Sequence, residues 1–156
     1  DHRDLHRLIR RQRQMCIRDS AYAGVTPRSK IMFGKPGLAY VYLCYGMYYL
    51  FNIITESEGK PGAVLIRALD PVWGVDIMKQ RRNTESNLTN GPGKLTIALE
   101  IDIKDNGVDI VKGENGLYVF EYKPESGDYK SNYKIAKTNR IGVKKGEDKL
   151  LRFLIC

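Results

Sequence analysis

An uncharged run from Pro36 to Thr55 constrains the fold more than any other feature of this sequence. Its length would allow a membrane-spanning helix. However, tyrosines occur along the whole run, whereas membrane proteins concentrate tyrosine at the two interfaces. Aromatic and β-branched residues favour strands, and Gly46 lies near the middle of the run, where a turn would fall. The run therefore predicts a β-hairpin over Leu38–Thr55 and not a membrane span.

The register of this hairpin decides which side chains share a face. We expect a three-residue turn over Gly46–Tyr48, which leaves Tyr45 at the tip. The same register pairs Tyr42 with Asn52, and directly paired residues face the same side of a sheet. A ring beside an amide can stack on a nucleobase and select it by hydrogen bonding, and an aromatic at a tip can wedge between base pairs. Core or interface packing is the alternative explanation for so many tyrosines.

One strand and two helices follow the hairpin. Arg67 interrupts an apolar strand over Ala63–Leu69, and a buried arginine must be paired in a structural salt bridge or face a polar cavity. The first helix should begin at Asp70–Pro71, an N-cap followed by proline, and end at about Arg82. The second should open at Gly91–Lys94, where free N–H groups and the lysine ammonium suit a phosphate. An ordinary helix start with an exposed lysine is the alternative there.

Further strands are predicted at 117–122, 133–143 and 150–155. Hairpins outnumber the plausible strand-helix-strand crossovers, which favours an antiparallel arrangement. The fold class we expect is α+β: a single domain with a mainly antiparallel β-sheet, a protruding β-hairpin and a few flanking helices.

Charge, cysteine and histidine content limit the functions open to the chain. The net charge of +8 and the pI of about 9.4 favour a polyanionic partner, nucleic acid first, over a merely solubilising surface. The three cysteines are far apart, and no C-x-x-C occurs. This argues against a disulfide framework or structural zinc, and for a reducing, intracellular compartment. The sequence has only His2 and His6, so we expect no histidine metal site and no Ser-His-Asp triad.

The first twenty residues differ in character from the rest of the sequence. They are rich in arginine and glutamine, and RQRQMCIRDS looks like translated sequencing-adapter read-through. The alternative is a basic arm that contacts nucleic acid. We expect 1–20 to be a foreign, non-native segment and leave it out of the fold prediction.

Five blocks follow one another along the chain: TPRSKIMFGKPGLAYVYLCYGMYYLFN, AVLIRALDP, NGPGKL, RIGV and LRF. In this order and at about this spacing they resemble the alkyladenine (3-methyladenine) DNA glycosylase family, and the resemblance covers Ala21 to Ile155. The Tyr-x-x-Tyr-Gly-Met core with its downstream asparagine is the most specific block. The resemblance implies a monofunctional enzyme that flips alkylated or deaminated purines out of duplex DNA and removes them by hydrolysis. It implies no metal and no redox cofactor.

The resemblance also implies roles for three residues of the base pocket. Tyr42 matches an aromatic that stacks on the flipped base, and Asn52 matches an asparagine that disfavours the guanine 2-amino group. Arg67 matches a catalytic-site arginine that helps to place the attacking water and the substrate backbone.

Four further residues match DNA contacts of the family. Tyr45 would enter the minor groove and fill the gap left by the extruded nucleotide. Met47 and Arg28 belong to the matching Tyr-Gly-Met and Thr-Pro-Arg motifs, and Lys94 lies in a matching DNA-contacting segment. The partner implied is double-stranded DNA with damaged purines, bound by a monomer in the cytoplasm, nucleoid-associated in a bacterium, and not at a membrane.

The sequence departs from the family pattern near both ends. The upstream block with the general-base glutamate is missing, Ser20 stands where a histidine is expected, and no glutamate occurs before Glu56. The last residue, Cys156, falls short of the usual final strand. Removing a general base typically costs about 10²–10⁴-fold in rate. We therefore expect 21–156 to be a partial glycosylase domain with weak or absent activity, and a non-catalytic nucleic-acid-binding module is the alternative.

Overall fold

The described strands form one antiparallel sheet. The computed structural model describes residues 13–15, 25–120, 134–141 and 149–155. The strands are β1 (Arg13–Met15), β2 (Ala39–Cys44), β3 (Tyr48–Ile54), β4 (Ala63–Ile66), β5 (Ile135–Thr138) and β6 (Arg152–Ile155). They lie in the order β2-β3-β4-β1-β6-β5, with every neighbouring pair antiparallel. Together with two α-helices this is the predicted α+β domain, and no helix in the described ranges is long and apolar enough to cross a membrane.

The hairpin β2–β3 forms where the uncharged run predicted it, with its turn one residue earlier than expected. The turn consists of Tyr45, Gly46 and Met47, closed by a hydrogen bond from the Met47 N–H to the Cys44 carbonyl at 3.1 Å. Tyr45 and Gly46 have φ angles of 52° and 68°. Positive φ at both central residues is the geometry of the type I′ turn, whose twist suits a two-stranded ribbon.

The shifted turn moves the register of the hairpin by two residues. The predicted pairing of Tyr42 with Asn52 is therefore wrong: Tyr42 pairs with Leu50, and Tyr40 pairs with Asn52. Because side chains alternate between faces with a period of two, a shift by two leaves Tyr42 and Asn52 on the same face. Tyr42 and Asn52 therefore share a face as predicted, and Tyr40 also lies on that face.

The two faces of the hairpin pack into different apolar clusters. Val41 and Phe51 face the main core, which the helices cover. The opposite face carries Tyr40, Tyr42 and Ile54, which pack with Met32 from a 3-10 turn just before β2. Each large side chain buried in this way contributes roughly 1.5–3 kcal/mol. The hairpin is thus held from both sides, while its tip projects beyond both clusters.

The first helix, α1 (Val75–Arg82), is shorter than predicted. Gly74 precedes it with a φ of 72°, outside the helical range, so the chain cannot be helical from Pro71 onwards. The predicted end at Arg82 is confirmed, since Asn83 takes up a left-handed conformation there. Lys79, Arg81 and Arg82 lie in the last turn, where positive charge suits the helix dipole.

The second helix, α2 (Pro92–Leu99), begins where the sequence predicted. Pro92 takes the first helical position, and Gly91 precedes it with a φ of 151°, which glycine tolerates and other residues rarely adopt. Thr96 donates a hydrogen bond from its hydroxyl to the Tyr49 carbonyl at 2.9 Å. This bond and the buried Leu95 fix α2 across β3.

The late strands follow the prediction in part. β5 and β6 confirm shorter versions of the strands expected at 133–143 and 150–155. Residues 117–120 belong to no strand, although the Val119 N–H bonds to the Ile110 carbonyl at 2.8 Å. The rest of the segment expected at 117–122 lies outside the described residues.

The outer edge of β2 is covered by the segment 106–110. The Ala39 N–H donates to the Val108 carbonyl at 2.8 Å, and the Val41 N–H donates to the Asn106 side-chain oxygen at 2.9 Å. Covering an edge satisfies its backbone groups and prevents pairing with other chains. These bonds occupy the edge from Ala39 to Val41, on the half of β2 that lies away from the hairpin tip.

Asp109 stabilises the loop that carries this cover, and the contact should depend on pH. Its carboxylate accepts hydrogen bonds from the backbone N–H groups of Lys112 and Val111, which hold its pKa below the ordinary value. A lowered folded-state pKa contributes stability above the ordinary carboxyl pKa, and that stability is lost as the pH falls through the lowered value. NMR should show both amide proton signals moving together, with a midpoint below the ordinary carboxyl pKa. The same movement in Asp109→Asn would contradict this assignment.

Candidate nucleic-acid interface

The hairpin tip presents two large apolar side chains to solvent. Tyr45 is 92% exposed and Met47 is 68% exposed, although such side chains are usually largely buried. The left-handed φ of Tyr45 costs a residue with a Cβ about 1–2 kcal/mol. An exposed ring in a strained conformation adds little to the fold. Its geometry suits insertion into a partner.

Below the tip, one face of the hairpin holds a buried cluster of aromatic and amide groups. Tyr42 and Asn52 are only 4% and 3% exposed, and the ring centroids of Tyr40 and Tyr42 are 4.9 Å apart. The Asn52 Nδ2 donates to the Tyr40 carbonyl at 3.1 Å, which fixes the orientation of the amide. The sequence pattern missed Tyr40 because it located the turn one residue too late.

Arg28 lies directly over the ring of Tyr42. Its guanidinium carbon is 4.3 Å from the ring centroid, within the range of a cation–π contact. Its Nη2 also donates to the Leu43 carbonyl, at 3.3 Å. A sequence motif cannot predict this contact, because the two residues meet only after the hairpin has folded. Arg28 therefore adjoins the predicted base pocket, whereas the sequence suggested only a contact with DNA.

A local hydrogen-bond network holds the backbone around Arg28. The Thr26 N–H donates to the Ser29 hydroxyl at 2.8 Å, and the Ser29 N–H donates to the Thr26 hydroxyl at 3.1 Å. Ser29 is fully buried, whereas Arg28 is exposed. The backbone of the turn is fixed, so the exposed arginine side chain is the part that can change position.

Arg67 lies one residue beyond the end of β4. The β3–β4 register pairs Asn52 with Leu65, and its continuation brings Arg67 level with Leu50 and so into the row of Tyr42. Arg67 is half-buried, and none of the ion pairs between described residues involves it. The structural salt bridge considered for this arginine is therefore not found in the described part of the chain.

Lys94 is exposed in the first turn of α2, beside the hairpin. A Cβ added to Gly93 would lie 2.9 Å from the Cβ and Cγ of Tyr48, so the start of α2 touches the residue that follows the turn. Only glycine permits this close approach. The contact brings the first turn of α2, with its uncapped N–H groups, to the same end of the sheet as Tyr45.

A second exposed apolar pair, absent from the predicted site, lies near the start of α2. The loop from Asp70 to Gly74 carries Val72 and Trp73, which are 59% and 56% exposed. Just before this loop, the Leu69 carbonyl accepts a hydrogen bond from the Thr89 hydroxyl at 2.7 Å, which fastens the chain close to the start of α2. Single exposed apolar residues are common, so the sequence alone gave no reason to select Trp73.

An open cleft of about 420 Å³ adjoins the Arg28–Tyr42 contact. Its lining includes Ile31 and Ile103 on the apolar side and Arg28 and Asn106 on the polar side. None of the described residues that line it is a carboxylate, and the described residues contain no group of three or more acidic, histidine or cysteine side chains that could hold a metal ion. The described lining provides stacking surfaces and hydrogen-bonding groups.

The structure brings some of the predicted site residues together and leaves others at a distance. Arg28, Tyr42 and Asn52 lie on or beside one face of the hairpin, and Arg67 continues the row. Asn52 does not line the open cleft, because β3 is an inner strand. Tyr45 and Met47 form a separate exposed pair at the tip, and Lys94 is exposed in the first turn of α2, next to Gly93, which contacts Tyr48. The exposed tip and the buried face are thus two separate parts of one hairpin.

Comparison with known proteins identifies the class that this fold and site define. The family profile of Methylpurine-DNA glycosylase (MPG) matches residues 18–156. The chain therefore belongs to the methylpurine-DNA glycosylase family, which confirms the resemblance of its sequence blocks to DNA repair glycosylases.

Several bacterial relatives are similar over most of the chain. A protein of Carboxydothermus hydrogenoformans is 46% identical over 137 residues, which cover 86% of this chain and 69% of that protein. One of Rubrobacter xylanophilus is 44% identical over 135 residues, covering 86% and 67%, and one of Prosthecochloris aestuarii is 45% identical over 130 residues, covering 82% and 59%. Each is named "Putative 3-methyladenine DNA glycosylase". The chain thus spans about three-fifths to seven-tenths of their length.

Proposed function

We propose that this domain acts in base-excision repair, flipping alkylated or deaminated purines out of duplex DNA for hydrolytic removal. The observation that carries the proposal is the division of the hairpin into two parts. Tyr45 is exposed at the tip in a strained conformation, and Tyr42 and Asn52 are buried together below it. The exposed tip suits entry into the duplex, and the buried pair below it suits binding of the displaced base.

The energetics of base flipping support this division of work. A base inside a duplex cannot be reached, and its extrusion costs a few kcal/mol. Stacking on an aromatic ring returns about 1–3 kcal/mol per base. An alkylated purine such as 3-methyladenine carries positive charge, so the electron-rich face of Tyr42 binds it more strongly by cation–π attraction. Alkylated bases are therefore favoured over normal ones at the same ring.

Asn52 suits a role in excluding guanine. Its Nδ2 is held by the Tyr40 carbonyl at 3.1 Å, and the residue is almost fully buried. A fixed amide cannot rotate to make room for the extra 2-amino group of guanine, so this group would clash with the Asn52 side chain.

In the same row of the sheet, Arg67 has a guanidinium that can hold the substrate backbone or a water.

The open cleft beside Tyr42 contributes binding surface. None of the described side chains that line it is a carboxylate, so this part of the lining supplies no carboxylate to activate water. We expect the 156-residue chain to bind a lesion duplex readily and to release the base slowly. A non-catalytic binding module remains the second candidate, because this lining could serve either function.

The proposed partner is double-stranded DNA with a damaged purine, bound by one copy of the chain in the cytoplasm close to the nucleoid. The net charge of +8 suits a polyanion, and Lys94 lies beside the hairpin tip that would enter the duplex.

The proposal can be tested with two matched duplexes, one with a single hypoxanthine and one with adenine at the same position. We expect tighter binding to the hypoxanthine duplex, together with slow release of the free base. Lesion preference without any base release would favour the non-catalytic module. Equal affinity for both duplexes would overturn the proposed function.

Lys94 should contribute a phosphate contact that is independent of the lesion. We expect Lys94→Gln to weaken binding to damaged and undamaged duplexes equally, and to reduce the slope of log K against log salt by about 0.9. Lys60→Gln is the matched control, because Lys60 is exposed just beyond the other end of β3. Fluorescence anisotropy at several salt concentrations measures both slopes. A loss confined to the damaged duplex would contradict the phosphate assignment.

A further inference from the structure

The stacking face of Tyr42 is occupied in the structure of the free protein. Tyr42 is 4% exposed, and the Arg28 guanidinium lies 4.3 Å from the centroid of its ring. A flipped purine that stacks on this face would need the same space. Either the base does not stack on the Tyr42 ring, or the Arg28 guanidinium moves off the ring when the base enters.

The contacts of the Arg28 side chain are weak enough for it to move away from the Tyr42 ring. Its hydrogen bond to the Leu43 carbonyl is long, at 3.3 Å, and connects an exposed side chain to an open stretch of the β2 edge. Thr26 and Ser29 hold the backbone of the turn, so departure requires only a change of side-chain rotamer. Exposed side chains change rotamer within picoseconds to nanoseconds, far faster than DNA binding.

Bound DNA offers Arg28 a stronger partner than the one it would give up. A phosphate accepts two charge-assisted hydrogen bonds from a guanidinium, whereas the Leu43 carbonyl accepts a single bond from it. The Tyr42 ring would exchange one cation for another when the incoming purine is alkylated, so the cation–π attraction is retained. With a neutral base, hypoxanthine included, the ring would lose this attraction, and hypoxanthine then enters more often than a normal base because a damaged base costs less to flip.

We propose that Arg28 is a placeholder for the flipped base: it covers the Tyr42 ring in the free protein and moves to a DNA phosphate when a purine enters. The inference rests on the proposed function and adds a specificity-determining residue to it. Each entering base must first displace the guanidinium from the ring, and until the guanidinium reaches a phosphate this costs about fivefold in occupancy of the pocket, the equivalent of one cation–π contact. The threshold keeps normal bases, which flip rarely, out of the pocket.

The placeholder can be detected by NMR in the full 156-residue chain. In the free protein, the ring current of Tyr42 should shift the Arg28 side-chain protons upfield, and Tyr42→Leu should abolish the shift. Saturation with the hypoxanthine duplex should also abolish it, whereas the undamaged duplex should leave most of it. Absence of the shift in the free protein, or its persistence in the lesion complex, would overturn the placeholder.

Affinity measurements provide a second readout. Arg28→Gln should lower the ratio of affinities for the hypoxanthine and undamaged duplexes by about fivefold, because only the lesion complex gains the contact between Arg28 and a phosphate. Lys30→Gln is the matched control, because it removes one charge from the same region and should leave the ratio unchanged. An unchanged ratio in Arg28→Gln, with a wild-type chain that does prefer the lesion, overturns the placeholder alone. A wild-type chain without lesion preference overturns the proposed function, and the placeholder with it.

Discussion

Replacement of Tyr45 by glycine should make the domain more stable and remove its ability to distinguish damaged DNA. The side chain is 92% exposed, so its loss costs little packing, and glycine relieves the strain of a φ of 52°. We expect a gain of about 0.5–1 kcal/mol in the free energy of unfolding. Lesion affinity should fall at least about tenfold, because the ring that would fill the gap in the duplex is gone.

Tyr45→Phe is the matched control for this prediction. It retains the ring and the strained backbone, so both stability and lesion preference should stay close to those of the wild type. Thermal unfolding and anisotropy titrations with the matched duplexes measure the two effects. A Tyr45→Gly protein that is less stable, or that still prefers the hypoxanthine duplex, would refute the role of the tip.

Removal of the Tyr42 ring should have the other large effect. Tyr42→Leu keeps an apolar side chain in the cluster with Met32 but removes the stacking surface. Because stacking is worth about 1–3 kcal/mol per base, affinity for the lesion duplex should fall about ten- to a hundredfold. Affinity for the undamaged duplex should change little, because no base is stacked there.

The conservative variant separates stacking from the hydroxyl group. Tyr42→Phe preserves the ring and should retain nearly all of the lesion preference. Circular dichroism must confirm that both variants are folded, since Tyr42 is buried. A Tyr42→Leu protein with normal lesion affinity would show that the base stacks elsewhere, and an equal loss on both duplexes would indicate a purely structural role.

The hairpin could be predicted from the sequence, but its register could not be fixed. Tyrosine and β-branched content indicated the strands, and Gly46 indicated the turn. The turn begins one residue earlier, because Tyr45 adopts a positive φ that bulky residues rarely take. No propensity rule anticipates a strained tyrosine, so Tyr40 was missed as the partner of Asn52.

Local sequence rules also predict helix boundaries only in part. The proline at position 92 correctly marked the start of α2, whereas Pro71 did not start a helix. Leu69 is fastened to Thr89, and Gly74 takes up a left-handed φ, so the chain stays irregular until Val75. Tertiary contacts of this kind override a capping pattern that is reasonable by itself.

The sequence could predict the site residues that belong to a family motif. It could not predict contacts between residues that meet only in the folded chain. The family pattern singled out Tyr42, Asn52 and Tyr45, and the fold puts the first two on one face and the third at the tip. The stacking of Arg28 on Tyr42 joins residues from a turn and a strand. Only the folded backbone determines such a contact.

The central claim is that Tyr45 displaces a nucleotide while the face below it receives the base. The most direct test places the fluorescent base 2-aminopurine next to hypoxanthine in a duplex, because its emission rises when the neighbouring base leaves the stack. We predict a saturable rise with the wild-type chain and none with Tyr45→Gly at DNA-saturating concentration. An equal rise with both proteins, or no rise with the wild type at saturation, would contradict the claim.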